Sequence, residues 1–450
     1  MDRINAQAFI RFGLGAGAND KPDSDPRGAL KAQLQGPDPG QAAGAFERLP
    51  TGLDGMDAVK ADELAREAFV RAGKPAGQKP AYQSRTMYLA DCNAQMGWAT
   101  ATNASFRERL VWFYANHFSV SIYQGQTASL MGPFIREAIR PFVNGNFTNM
   151  VLAAESHPAM LRYLDNEHSM GPNSVAGLKT GKGLNENLGR ECMELHTVGL
   201  GAGYTQTDVT NMAKILTGWS DASSKEGGMP TGFKYRPEMH EPGAQTVMGH
   251  RFDGGEQAGI NALVFLSRYH TTYQMLAKKL VTHFVSDNPA PDDVARVATA
   301  MMDTEGDLAA AAAAVVDLDS AWQPLGKLKT PQEFIISTLR AAPPADGKPV
   351  EYAGIASALG QPFWGAPLPN GWSDQAANWD GGDAILTRVD WAYTYAGRVD
   401  HGANGPQPQQ VADSALGDLL RPATASAIAN AGSRREALTL LFAAPEFQRR

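Results

Sequence analysis

The run LVWFYA, Leu110 to Ala115, constrains this chain most. On a helix its side chains cover every direction with apolar surface, so the segment around it, RERLVWFYANHFSV over residues 107–120, has to be buried on most sides. Asn116 and His117 close the run. A buried Asn-His pair must find partners, because each unmet hydrogen-bonding group costs about 1–3 kcal/mol. Either the pair ties this helix to a neighbour, or His117 is a ligand-binding or catalytic histidine with Asn116 beside it.

Helix signals recur along the rest of the chain. Thr330-Pro331-Gln332-Glu333 places a capping hydroxyl, a first-turn proline and a glutamate at the third position ahead of Phe334, Ile335, Ile336 and Leu339. Ser433 with Glu436 and Thr205 with Asp208 repeat that logic. Periodicity predicts further helices over Met87 to Met96, Phe106 to Phe118, Phe134 to Val143, Met150 to Leu164, Ala262 to Ser267, Met275 to Phe284 and Asp292 to Met302. Only Lys234 to Arg236 and Thr246 to Met248 look extended. The expected class is mainly α, a large multi-helical unit with long irregular loops and at most a small β-ribbon. Gly73 to Pro80, Ala341 to Pro349 and Gly402 to Gln410 read as loops.

The bulk numbers exclude several functions. A net charge of −7 provides no basic field for nucleic acid. Two cysteines, Cys92 and Cys192, are too few for a disulfide scaffold. The longest aliphatic run, Leu308 to Val316, is far below the roughly 18 residues of a membrane span, and the N-terminus lacks the pattern of an export signal. The expected compartment is therefore the cytoplasm, with co-export to the periplasm as the alternative.

The chemistry concentrates in NENLGRECMELHTVGLGAGYT, residues 185 to 205. At about 100° per residue, Leu184, Leu188, Cys192 and Leu195 share a stripe facing the core. Asn187, Glu191 and Glu194 form a second stripe at its flank, and Glu186 and Arg190 point outward. One reading is a surface ladder of Glu186, Arg190 and Glu194. The other is a half-buried pair, Glu191 and Glu194, acting as acid/base or metal-ligating groups with Asn187 as a neighbour, since crowded carboxylates raise one pKa. His196 falls on the far flank, and the spacing is not that of a helix-borne zinc protease. Gly199, Gly201 and Gly203 follow a helix, not a strand, so they read as a stop and turn.

Two other regions hold candidates. MHEPGAQTVMGHRFDGG supplies His240, Glu241, His250 and Asp253 on a glycine-punctuated arm, either solvated or covering a site that His240 reaches. Half of the eight tryptophans, Trp364, Trp372, Trp379 and Trp391, crowd into one irregular stretch, as anchors or as a platform for a flat polar ligand.

The chain resembles the bacterial family catalogued as domain of unknown function eighteen hundred. The resemblance rests on RFGLGA near residue 11, NHFSV at 116, HPAMLRYLDN at 157, GPNS at 171, the NEN-to-LTGW block ending at 219, HEPG at 240, HFVSDNPAP at 283, PQEFIISTLR at 331, GQPFWGAPLPNGW at 360 and the terminal APEFQRR. It implies one family-length helical domain over 1–450, divided into an N-terminal helical segment 1–72, a linker 73–80, a core 81–340 and a C-terminal segment 341–450. The family carries no assigned chemistry, and many relatives are exported. Its members stand beside a sulfatase-like or alkaline-phosphatase-like family, which implies such a protein as a partner. Where relatives commonly have Asp and Lys in the arm, Glu241 and Gln245 stand here; Glu keeps the charge and Gln does not.

These observations lead to one expectation and one rival. Asn116, His117, Asn187, Arg190, Glu191, Glu194 and His240 line a polar cleft walled by the tryptophan segment, with Trp372 and Trp379 contacting substrate. Such a cleft suits general acid/base or metal-assisted hydrolysis of a polar, saccharide-like or sulfated substrate, with Glu191 as base or ligand, Glu194 its partner and His117 the proton donor. The sequence assigns no particular metal or cofactor. The rival is a non-catalytic accessory to the sulfatase-like neighbour, with Glu191 and Glu194 paired to arginine and a broad apolar surface patch.

Overall fold

In the computed structural model, residues 1–17, 20–74, 80–400 and 405–450 are described. Helix accounts for 59% of the described residues and the strands among them are three residues each, so the class is mainly α. The helix Ser105–His117 sits where its sequence requires, with Phe106, Leu110, Val111 and Tyr114 fully buried. Its first turn carries Arg107, Glu108 and Arg109 inward as well. Glu108 takes both guanidinium nitrogens of Arg140 at 2.7 Å, and Arg109 meets Glu333 at 2.7 Å while donating to the carbonyls of Arg11 and Gly13. Buried charges persist only when paired and hydrogen-bonded in this way.

Two apolar cores meet along this helix. The first gathers Phe147–Ser156, Gln206–Leu216, His270–Phe284, Pro291–Asp303 and Leu308–Val316; the second gathers Gln83–Ala101, Pro331–Ala341, Gly382–Val399 and Arg434–Ala443. Trp112, Ile122 and Trp364 touch both. The N-terminal segment also feeds both, Phe12 entering the first core and Ile10 and Leu14 the second.

Local rules account for the helix ends. Thr330 and Glu333 form the reciprocal box, as do Thr205 and Asp208. Ser433 caps Glu436, but the Glu436 carboxylate turns to the amide of Gly432 instead of closing the box. The span predicted from Met150 to Leu164 is two helices, Phe147–Ser156 and Pro158–Tyr163, because His157 is held extended ahead of Pro158. Phe134 to Val143 passes from α through a π-turn, Ile135–Ile139, into a 3-10 turn.

The β-structure is two separate hairpin-like pairs, not one ribbon. Trp219–Asp221 pairs antiparallel with Phe233–Tyr235, and Gln245–Val247 with His250–Phe252. Both extended stretches end one residue before their predicted ends. Pro237 opens a 3-10 turn after Arg236, and Met248 and Gly249, at φ 47° and 78°, make the tight two-residue turn that right-twisted strands favour.

The loop predicted over Gly402 to Gln410 becomes helix at Pro408, residues 402–404 lying outside the described residues. Residues 75–79 of the Gly73 to Pro80 stretch also lie outside them. Cys92 and Cys192 are both free and buried. Among the described residues no helix is long and apolar enough to cross a membrane.

Candidate functional site

The helix of the NENLGR block is shorter than its periodicity implies. Asn187–Glu191 is α-helical, and Cys192–His196 is a π-turn. Gly189 permits the local packing: a Cβ there would lie 2.7 Å from the backbone nitrogen of Ala213 on the neighbouring helix. The extra residue in the π-turn changes the phase of every side chain after it. His196, on the far flank of a regular helix, is instead fully buried, while Leu195 is only half-buried. Thr197 secures the turn, its hydroxyl donating to the Cys192 carbonyl at 2.6 Å.

His196 Nδ1 lies 2.7 Å from Oε1 of Glu155, whose side chain is fully buried near the end of Phe147–Ser156. The remaining atoms of the pair, His196 Nε2 and Glu155 Oε2, have no hydrogen-bond partner. Two such atoms in one buried contact are unusual, since most buried polar groups are satisfied. Neither Glu155 nor His196 figured among the residues expected from sequence. Glu155 lies four residues after the buried Val151, so a carboxylate in register with an apolar stripe was the available signal. His196 had none, because its orientation depends on the π-turn.

His117 joins the same turn from below. Its Nε2 is 3.2 Å from the His196 carbonyl, its ring centroid is 6.2 Å from that of His196, and its Nδ1 is 3.1 Å from Lys279 Nζ. Lys279 also donates to the Leu195 carbonyl at 3.1 Å. Both His117 nitrogens are thus occupied by protein. Burial, Lys279 and His196 together push the His117 pKa well below its ordinary value, and burial lowers Lys279 to about 8 against the attraction of Asp374. A neutral imidazole accepting from an ammonium is the consistent arrangement.

Glu191 and Glu194 are half-buried on the outer side of this turn and make no hydrogen bond or ion pair with any described residue. Burial raises the Glu191 pKa above the usual glutamate value; Glu194 and Glu155 add to the rise, and His196 and Arg190 oppose it. The phenols of Tyr163 and Tyr204 face the same pair: burial raises both pKa values, and the carboxylates raise them further. Crowded carboxylates near a buried histidine are a pattern from which acid/base chemistry can be built.

The other sequence candidates lie in different surroundings. Arg190 pairs with Glu186 at 3.0 Å and with Gln206 at 3.1 Å, the local ladder of a surface helix. Asn187 is exposed, and its side chain has no hydrogen bond among the described residues. His240 Nδ1 is 2.9 Å from the Thr217 carbonyl and Nε2 accepts from the Gly255 amide at 2.8 Å, so it braces its own arm. Glu241, buried, clasps the amide and side chain of Asn173 at 2.8 and 2.6 Å, which joins the HEPG and GPNS motifs. His250 stacks on Phe265 and Asp253 is exposed.

Asn116 and Trp372 do meet. The Asn116 amide donates to the Trp372 carbonyl at 2.8 Å and accepts from its amide at 2.7 Å, and the Trp372 and Trp379 rings lie 5.9 Å apart. Asn116 and Trp372, but not Trp379, border a cleft of about 90 Å³. The same cleft is lined by a second network that sequence reasoning missed. Asp374 Oδ1 is 2.6 Å from His283 Nδ1, Arg109 Nε donates to His283 Nε2 at 3.2 Å, and Glu333 lies between Arg109 and Arg450. Burial drives His283 down to about 4, while His283 and Arg450 hold Asp374 far below the carboxylate range. Among the described residues no three His, Cys, Asp or Glu side chains are gathered as a metal ion would need.

The family model for a protein of unknown function (DUF1800) matches residues 7–449. The chain belongs to that family. Neither a curated protein nor a solved structure matches it. The DUF1800 match spans both cores, the Glu155 and His196 pair and the Asp374 network alike.

Proposed function

We propose that this DUF1800 protein is a hydrolase-like enzyme that works by side-chain acid/base chemistry on a polar substrate at the Glu191 and Glu194 shelf. The observation that carries the reading is the buried His196 Nε2, left without a partner on the turn that also carries Glu194, with His196 within electrostatic reach of Glu191. A protein pays for such an atom in stability, and a role in proton transfer is a reason to keep it.

In this scheme Glu191, its pKa raised by burial, takes or gives the proton, and Glu194 keeps the local charge that holds it poised. His196 passes a proton through Nε2, and Glu155 holds the imidazole by Nδ1. His117 positions the turn through the His196 carbonyl in place of acting as proton donor, because both its nitrogens are engaged. The saccharide or sulfated character of the substrate rests on the tryptophan segment and the family neighbourhood. An accessory role beside a sulfatase-like protein asks for Glu191 and Glu194 to be paired with arginine; Arg190 pairs with Glu186 instead, which favours the enzymatic reading.

A panel of chromogenic phosphate, sulfate, ester and glycoside substrates tests it, with wild type set against Glu191→Gln and His196→Asn. General acid/base contributions are typically about 100- to 10,000-fold, so the Gln variant should lose at least 100-fold in kcat with an unchanged fold. A wild type inert to the whole panel, or a Gln variant of equal activity, ends the proposal.

A further inference from the structure

A cleft of about 440 Å³ lies between the helix Gly52–Arg71, the turn Asn166–His168 and the sheet of Trp219–Asp221 with Phe233–Tyr235. No residue of the Glu191 shelf lines it. Its floor is apolar, with Met56, Val59 and Met239 buried. Glu167 also lines it, is 8% exposed, and has a buried Oε2 that meets no hydrogen-bond donor. The turn that carries it is firmly held: Asp165 sits at φ 55°, and Asn166 Nδ2 donates to the carbonyls of Leu216 and Trp219 at 3.1 and 2.9 Å.

The cations around Glu167 are committed elsewhere. From the helix Pro158–Tyr163, Arg162 binds Asp221 at 2.6 Å. Across the cleft Lys60 binds Glu63 at 3.3 Å, and Arg236 donates to the Ser220 hydroxyl and the Asp221 carbonyl at 3.2 and 2.9 Å. His168, on the same turn and mostly exposed, stays 3.7 Å from Oε1. Glu226 and Glu238 add negative charge at the rim, and Asp165 adds more from the turn itself. Burial first, then Asp221, pushes the Glu167 pKa up to about 8 against the pull of Arg162. A carboxyl in this state is a neutral acid at pH 7, waiting for a positive charge.

We propose that this cleft binds a small aliphatic amine, whose ammonium group takes the place beside the Glu167 carboxyl that no side chain fills. The alkyl portion lies on Met56, Val59 and Met239. The lining acids outnumber the lining bases, Glu63, Glu167, Asp221, Glu226 and Glu238 against Lys60, Arg162 and Arg236, which disfavours an anion. A metal ion would need a clustered donor set that is absent among the described residues. On binding, the ligand stays an ammonium, Glu167 becomes a carboxylate, and its proton leaves to solvent.

Calorimetry on the full chain with putrescine as the probe tests this, with butanediol as the neutral comparator of equal length. The expected result is saturable putrescine binding that releases about one proton at pH 7, read from titrations in buffers of different ionisation enthalpy, and strengthens about ninefold from pH 6 to pH 7 and about fivefold from pH 7 to pH 8. Butanediol should bind at least tenfold more weakly, and Glu167→Gln should lose at least tenfold for putrescine. The wild-type arms stand without the variant should it fail to fold. No saturable binding, binding without proton release, or equal binding of the diol overturns the proposal. Because Glu191 and Glu194 are not involved, the result is independent of the hydrolase screen.

Discussion

His196 Nδ1 and Glu155 Oε1 are 2.7 Å apart, in side chains that are almost wholly withdrawn from solvent and 41 residues apart in the chain. The contact locks the π-turn Cys192–His196 onto the helix Phe147–Ser156, and so fixes where Glu191 and Glu194 stand. Removing Glu155 leaves His196 Nδ1 buried without its partner, which typically costs about 1–3 kcal/mol. Glu155→Ala is expected to lower stability by that amount in urea denaturation, and Glu155→Gln by less, since the amide still accepts a hydrogen bond. A loss below about 1 kcal/mol for the alanine variant would show that the pair does not hold the turn.

Acid sensitivity should begin near the histidine range. The folded His283 pKa is about 4 against an ordinary 6.5, and His117 is displaced in the same direction. As pH falls below 6.5 the unfolded chain takes up protons that the folded chain refuses, so stability drops by about 1.4 kcal/mol per pH unit per group. Glu333, held at about 2 by Arg109 and Arg450 against its burial, extends the loss from about 4.5 downward, because its contribution is present above the unfolded value and disappears through the folded one. Glu167 acts in the opposite sense, since its folded pKa of about 8 lies above the unfolded 4.5 and adds stability as pH falls between them. The histidine contribution is therefore read as a difference: in urea midpoints measured from pH 6.5 to pH 4, His283→Gln should lose less stability than wild type, by about 1.4 kcal/mol per pH unit. Equal slopes for the two proteins contradict the assignment of a neutral buried His283.

Asn116 should matter to stability more than its polarity suggests. Asn116→Ala deprives Trp372 of partners at both its amide and its carbonyl, for about 1–3 kcal/mol, with a change in tryptophan fluorescence as the Trp372 and Trp379 pair loosens. Gly371→Ala should produce a similar loss by another route: φ is 76°, and the added Cβ would meet the Asn116 carbonyl oxygen at 2.6 Å. Wild-type midpoints for both variants would remove this joint from the account.

The cysteines provide a further check. Both are buried, and burial raises Cys92 to about 12 and Cys192 well above the thiol range. A disulfide-exchange reagent at pH 8 should therefore modify neither thiol in the folded protein and both in urea. Rapid labelling of the native chain would place at least one of them at the surface.

Several parts of this structure are legible in the residues. The caps at Thr205 and Thr330, the all-round burial of Leu110 to Ala115, the surface pairing of Arg190 with Glu186 and the extended character of both β-stretches follow from interactions within a few positions. The resemblance to the DUF1800 family was likewise written in contiguous motifs. The position of His196 was not, because the regular helical phase used to orient it is interrupted by one added residue. Lys279 carries no pattern that distinguishes it from a solvated helix lysine, and its role comes from His117, 162 positions away. Arg109 and Glu333 are 224 residues apart, and nothing local to either marks the other.

By itself the amino-acid order determined that this is a helical protein, where the helices capped by Thr205, Thr330 and Ser433 begin, and which runs must be covered. Those properties arise from short-range hydrogen bonding and from the repeat of apolar side chains. Only the tertiary structure decided that Glu155, His196, His117 and Lys279 share one buried node while His240 braces a separate arm. Burial and charge proximity depend on the packing of distant helices, and one π-turn rotates a side chain from the surface to the core without altering the local apolar pattern.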